Sequence, residues 1–152
     1  MNGNVLKFCR SVDKHGVVGL DTAPLIYLIE DVAPYADLLH PLFERLESHA
    51  LAAVTSTITL AEILTKPLVD KNFSLVDEIK FTINAFSALS MVAVDEKLAE
   101  AAAMIRARHA VRLPDAMQIA AAIQGEATIF LTNDKRLKKV VGIEVLLLSD
   151  YV

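Results

Sequence analysis

Four carboxylates stand in four short strings of this chain: Asp21 in "GLDTAPLIYLIE", Glu62 in "STITLAEIL", Asp115 in "RLPDAMQIAAA" and Asp134 in "IFLTNDKRL". Each string joins an apolar run, which belongs in a core, to an acid beside it. Brought to one place these acids are costly, since two unit charges about 4 Å apart repel by about 4 kcal/mol at an effective dielectric near 20. Such a cluster needs protons or a cation. A hard divalent ion suits an all-oxygen donor set, and Mg2+ in particular is held by a few carboxylates while keeping several waters. The chemistry that follows is metal-assisted hydrolysis, in which a bound water is activated and charge on a phosphoryl group is taken up.

Taken singly, each acid has an ordinary structural use. Asp21 is placed to cap a helix with Pro24 in its first turn, and Glu62 completes an S/T-x-x-E capping box with Thr59 in "TLAE". Asp115 complements a helix dipole, and Asp134 sits in an Asn-Asp turn. Their joint placement depends on the elements that carry them.

Those elements alternate. "GVVGLD" reads as a buried strand ending at Asp21, followed by the helix "TAPLIYLIE" and an amphipathic helix from about 36 to 48. "ALAAVTS" is a second strand, and the helix beginning in "TSTITLAEIL" is expected to stop before Pro67. A helical period returns from about 74 to 88, "SMVAVD" is a third strand, and Asp95 caps the Ala-rich helix "EKLAEAAAMIRARHA". A further helix starts at Pro114 and ends near Gly125. "ATIFLTND" and "IEVLLLS" supply strands four and five. Strand and helix in this order predict an α/β fold, a three-layer α/β/α arrangement with a central mostly parallel sheet of about five strands. Asp21 and Asp134 then fall at the carboxyl ends of strands, and Glu62 and Asp115 in helix turns at the same edge, where open α/β sheets bind ligands. Residues 1–152 form one domain on this reading, with 1–16 a leader that has no assigned role.

Several other chemistries are excluded or disfavoured. A lone Cys9 forms no internal disulfide and no cysteine zinc cluster, and the four histidines show no paired metal spacing. Neither dinucleotide nor P-loop glycine pattern occurs among five glycines. Haloacid-type phosphatases place a second aspartate two residues after the first, where this chain has Ala23.

With these four strings in this order, the chain closely resembles the PIN-domain family, and within it the VapC-like toxins of toxin–antitoxin pairs. The resemblance runs from about Val17 to Leu148. It implies that Asp21, Glu62, Asp115 and Asp134 bind Mg2+ or Mn2+ and cleave RNA, that the Thr132 hydroxyl supports the site, and that Thr22 and Asn133 flank it. It further implies a cognate antitoxin protein and self-pairing as a homodimer. Many relatives carry Asn or Ser two residues after the first acid, so Ala23 removes one polar contact, though no acid. The alternative is a non-catalytic scaffold of the same fold, kept for binding or assembly.

A net charge of −4 does not describe a chain coated for non-specific nucleic-acid binding, so an RNA substrate requires a local basic rim. Arg106, Arg108 and Arg112 precede Asp115, and Lys135, Arg136, Lys138 and Lys139 follow Asp134. These groups are positioned to neutralise phosphates on either side of a scissile bond; otherwise the arginines serve a helix C-terminus and the lysines a solvated face. Base stacking has little support in a chain with no tryptophan. The longest stretch free of charge, Phe81 to Val94, is too short to span a bilayer. The start has no signal-peptide pattern, so a cytoplasmic protein is expected. Hydrophobic residues make up 54% of the chain, and the Ala99–Ala103 face and "LIYLI" are candidates for a dimer or partner groove.

Overall fold

In the computed structural model, which describes residues 2–152, the central strand is the first one. Strand β1 (Val17–Leu20) pairs in parallel with β2 (Ala52–Ser56) on one side and β4 (Ile129–Thr132) on the other. β3 (Leu89–Val92) and β5 (Glu144–Leu147) close the two edges, giving the order β3-β2-β1-β4-β5. All four pairings are parallel. The chain therefore builds outward through β2 and β3, then returns to the far side of β1. The switch point lies between β1 and β4, and there the carboxyl ends open a crevice.

Strand alternation distributes the core into two layers. Val18, Leu20, Ile129 and Leu131 face α1 (Gly3–Val12), α2 (Thr22–Ile29), α3 (Tyr35–Glu47), α4 (Thr57–Val69) and α5 (Phe73–Ala85) in one cluster. Phe130 faces α6 (Glu96–His109) and α7 (Leu113–Gln124) in the other. This is the three-layer α/β/α architecture, with a sheet that is entirely parallel. Gly19 makes the second layer possible. A Cβ there would lie 2.6 Å from Ala122 Cβ and 3.0 Å from the Phe130 ring, so α7 reaches the sheet only because no side chain intervenes.

Three local expectations change, and the segment before β1 has a structural use: α1 is capped by the Asn2 side chain, which accepts from Asn4 N–H at 2.7 Å. Its Val5, Phe8, Cys9 and Val12 are buried, and Phe8 meets the Tyr151 ring edge-on at 5.6 Å. α4 runs through Pro67 to Val69 instead of stopping before the proline. There the missing N–H removes a single bond in the final turn, and the Pro67 carbonyl still accepts from Asn72 N–H at 2.8 Å. The same helix starts at Thr57, so Thr59 and Glu62 form no capping box. β3 ends at Val92, three residues short of Asp95, which does cap α6 by accepting from Leu98 N–H at 2.9 Å.

Candidate active site

Asp21 directly follows β1, and Thr132 ends β4, so adjacent strand pairing brings them together. Thr132 Oγ1 donates to Asp21 Oδ2 at 2.6 Å and accepts from Asp134 N–H at 3.1 Å. The other Asp21 oxygen accepts from Thr22 N–H at 2.8 Å at the start of α2. One hydroxyl thus links the first and fourth acids. Asp134 caps the short 3-10 helix Lys135–Lys139, accepting from Arg136 N–H at 3.0 Å.

α7 brings the third acid. Pro114 lies in its first turn, where an absent N–H costs nothing, and Asp115 comes next. The Asp115 side chain is only 10% exposed and accepts from Arg112 Nε at 3.0 Å. Glu62 sits in the second turn of α4, which starts where β2 ends. All four acids line one open cleft of about 460 Å³, together with Thr22, Ala23, Ile26, Arg112, Thr132, Asn133 and Lys135.

The electrostatics follow from this proximity. Burial pushes the Asp21 carboxyl above its ordinary value, and Asp115 and Asp134 push it further, against the Thr132 and Thr22 hydrogen bonds. Glu62 is raised by burial and then by Asp21 and Asp115; the Thr22 hydroxyl and Arg112 work the other way. Asp134 is lowered, chiefly because Arg136 grips both its oxygens, at 2.9 Å from Nε and 2.7 Å from Nη2. Two acids are therefore paired with arginines, and two are left with a cost that positive charge would relieve.

Among the described residues, no three His, Cys, Asp or Glu side chains meet closely enough to close on an ion as they stand. Two guanidinium groups, Arg112 and Arg136, occupy the positive role at Asp115 and Asp134. The donor set nevertheless suits a hard divalent ion: it is all oxygen, and the raised Asp21 and Glu62 gain from a cation. Both arginine side chains are more than 60% exposed, so they can leave the acids for solvent or an anion.

The basic rim divides. Arg112 and Lys135 line the cleft and Arg136 adjoins it. Arg106 and Arg108 do not line it. Arg106 faces a hollow with Ala103, Val111 and Arg112, whereas Arg108 borders an apolar groove with Met104, Ile123 and Val141. Helix geometry separates them, because residues two apart project from different sides. Lys138 pairs with Asp150 at 3.5 Å. Asn133 lines the cleft, yet its side chain is committed to structure: Nδ2 donates to Tyr27 Oη at 3.3 Å and Oδ1 accepts from Ser149 N–H at 3.0 Å.

Spacing alone missed Gln118. It is 2% exposed, one turn beyond Asp115, and bonded to Thr22, Ser56 and Thr59. A lone amide in the otherwise small and apolar run "AMQIAAA" was the available signal.

A carboxylate-lined cleft at the switch point of a parallel sheet defines the class. A family model described as the PIN domain matches residues 18–143, and the chain belongs to that family. Helix α1 precedes the matched region. Among solved structures, the fold is similar to a chain of VapBC2 from Rickettsia felis bound to a DNA fragment from its promoter, at TM-score 0.63 and 18% identity. That similarity covers 86% of this chain and 98% of the other. A toxin-antitoxin complex from Klebsiella pneumoniae and DNA-bound VapBC from Salmonella typhimurium each give TM-score 0.62 and 20% identity, covering 87% of this chain and 97% of theirs. No curated protein matches the sequence.

Proposed function

We propose that the protein is a divalent-metal-dependent endoribonuclease and the toxin of a toxin–antitoxin pair. One observation carries the enzymatic part: four acids from four separate elements line a single cleft, and two of them have their carboxyl groups pushed up by burial and by the other acids. Such an arrangement costs stability unless a cation is bound, and it is selected where the cation does work. The toxin part rests on the family and on a fold shared with chains of toxin–antitoxin complexes. A cognate antitoxin is the partner that this reading adds.

In this scheme Asp21, Asp115 and Asp134 would hold Mg2+ or Mn2+, and Glu62 would orient the attacking water. The ion would supply charge neutralisation at the phosphoryl oxygens and would acidify that water. Thr132 fixes the Asp21 carboxylate against Asp134, while Thr22 flanks Asp21 and Glu62. Arg112 and Arg136 exchange a carboxylate for a substrate phosphate, and Lys135 adds a third cation on the same rim. The water oxygen bonds to phosphorus as the P–O3′ bond breaks, leaving a 5′-phosphate and a 3′-hydroxyl, with no 2′-OH in the chemistry.

A second reading has one observation in its favour. The arginine pairs neutralise Asp115 and Asp134 without any metal, as a non-catalytic scaffold would do. Purified protein incubated with cellular RNA and Mg2+ or Mn2+ separates the two. Discrete fragments that disappear with EDTA, and fall at least about 100-fold in Asp115→Asn, support the nuclease. Saturating Mn2+ at about 100 times its Kd should add about 2.7 kcal/mol of stability. Uncut RNA together with an unmoved melting temperature leaves the scaffold.

A further inference from the structure

Beneath the cleft lies a buried polar layer of which the proposed steps use only Thr22. Thr22, Thr55, Ser56, Thr59 and Gln118 are all buried, in a core built mainly from aliphatic and phenylalanine side chains. Buried polar groups are costly unless paired, and here they pair with one another. Ser56 Oγ donates to Gln118 Oε1 at 2.6 Å. The Gln118 amide then donates to Thr22 Oγ1 at 3.0 Å and to Thr59 Oγ1 at 2.5 Å. Thr55 Oγ1 lies 2.9 Å from Thr59 and 3.1 Å from the Leu20 carbonyl at the end of β1.

The positions of these partners relative to the acids are what matters. Thr22 follows Asp21. Thr59 is three residues before Glu62 on α4, and Gln118 is three residues after Asp115 on α7, so each shares a helix face with its acid. A single amide therefore touches a neighbour of Asp21 and a neighbour of Glu62 while riding on the helix of Asp115. Those elements come from sequence positions 59 and 96 residues away from Gln118. The two hydroxyls also meet each other: Thr22 Oγ1 lies 3.3 Å from Thr59 Oγ1, where either can donate, so the amide and both threonines form one closed cluster.

We infer that Gln118 is a positioning residue, setting the relative placement of Asp21, Glu62 and Asp115 by clamping the Thr22 and Thr59 hydroxyls to α7. This inference rests on the nuclease reading. It predicts an effect on turnover and on metal binding larger than any loss of stability explains, because a displacement of about 1 Å in a reacting group can cost about 100-fold in rate.

Gln118→Met keeps volume and helix propensity while removing both donors. Asp95→Ala, which removes the α6 cap, serves as a destabilised control outside the cleft. Both are compared with the wild type at a temperature where all are folded, by RNA turnover and by the melting shift that Mn2+ produces. The expected result is a fall of about 100-fold in kcat for Gln118→Met with KM within about twofold. Its Mn2+ shift should also be smaller, and Asp95→Ala should match the wild type on both readouts. If Gln118→Met does not fold, Thr59→Val breaks the same clamp from α4 and is held to the same expectations. An active wild type with a clamp variant indistinguishable from Asp95→Ala overturns the positioning role alone. A wild type that neither cuts RNA nor gains stability from Mn2+ overturns the nuclease reading, and the positioning role with it.

Discussion

Thr132 donates its hydroxyl to Asp21 across 111 residues of sequence, at 2.6 Å, because β1 and β4 are neighbours in the sheet. The bond favours the ionised carboxylate, and it opposes burial and two nearby acids that favour the protonated one. Asp21 still ends above its ordinary value. Ionising Asp21 is therefore a liability for the fold unless positive charge is brought near it.

That liability has a sign. A carboxyl whose folded pKa is raised contributes stability below its unfolded value, here 3.8, and loses that contribution as pH rises through the folded value. Glu62 behaves alike from 4.5, whereas Asp134, which is lowered, stabilises above 3.8 and loses its contribution as pH falls through the folded value. Asp21→Asn keeps an oxygen for Thr22 N–H and removes the charge. In EDTA it should melt above the wild type at neutral pH, by about 2–4 °C for each kcal/mol relieved, and the difference should shrink on acidification. Melting curves from neutral to acidic pH check this; a mutant that melts lower throughout would contradict it.

The divided basic rim makes a prediction about salt. Each phosphate contact on single-stranded RNA contributes about 0.7 to the slope of log K against log salt. Arg112→Ala and Lys135→Ala, both in the cleft, should each reduce that slope by about this amount, measured with catalysis blocked by Asp115→Asn. Arg108→Ala should leave it unchanged, since Arg108 borders the apolar groove instead.

Helix α1 lies before the region matched by the family model, yet its Phe8 is fully buried. Phe8→Ala should cost about 3–5 kcal/mol in urea unfolding, where an unpacked segment would cost nothing. Gly19→Ala tests the opposite face. Its added methyl meets Ala122 and Phe130, an overpacking worth about 1–3 kcal/mol. It pushes α7 outward and Asp115 with it, so activity should fall along with stability.

Much of this molecule was legible from the chain alone, because short-range rules carry it. Apolar runs of strand length followed by helical periods specify a parallel sheet, and each run that ends in an acid puts that acid at the sheet's carboxyl edge. Asp95 as a cap and Pro114 as a helix start follow from rules that span a few residues. What the tertiary structure alone decided involves partners that such rules cannot connect. Whether Arg106, Arg108 or Arg112 reaches the cleft depends on how α6 turns against α7. Asn133 turns to Tyr27 and Ser149 because α2 and the segment after β5 pack beside it. α1 becomes core because Tyr151 and α3 cover it. Pro67 stays helical because one lost bond in a final turn is cheaper than breaking the helix. Gln118 becomes the junction of three acid-bearing elements only when α2, α4 and α7 converge. Periodicity shows which side of a helix is apolar; the close packing of distant segments chooses the partner for each buried polar group, since every such group must find one.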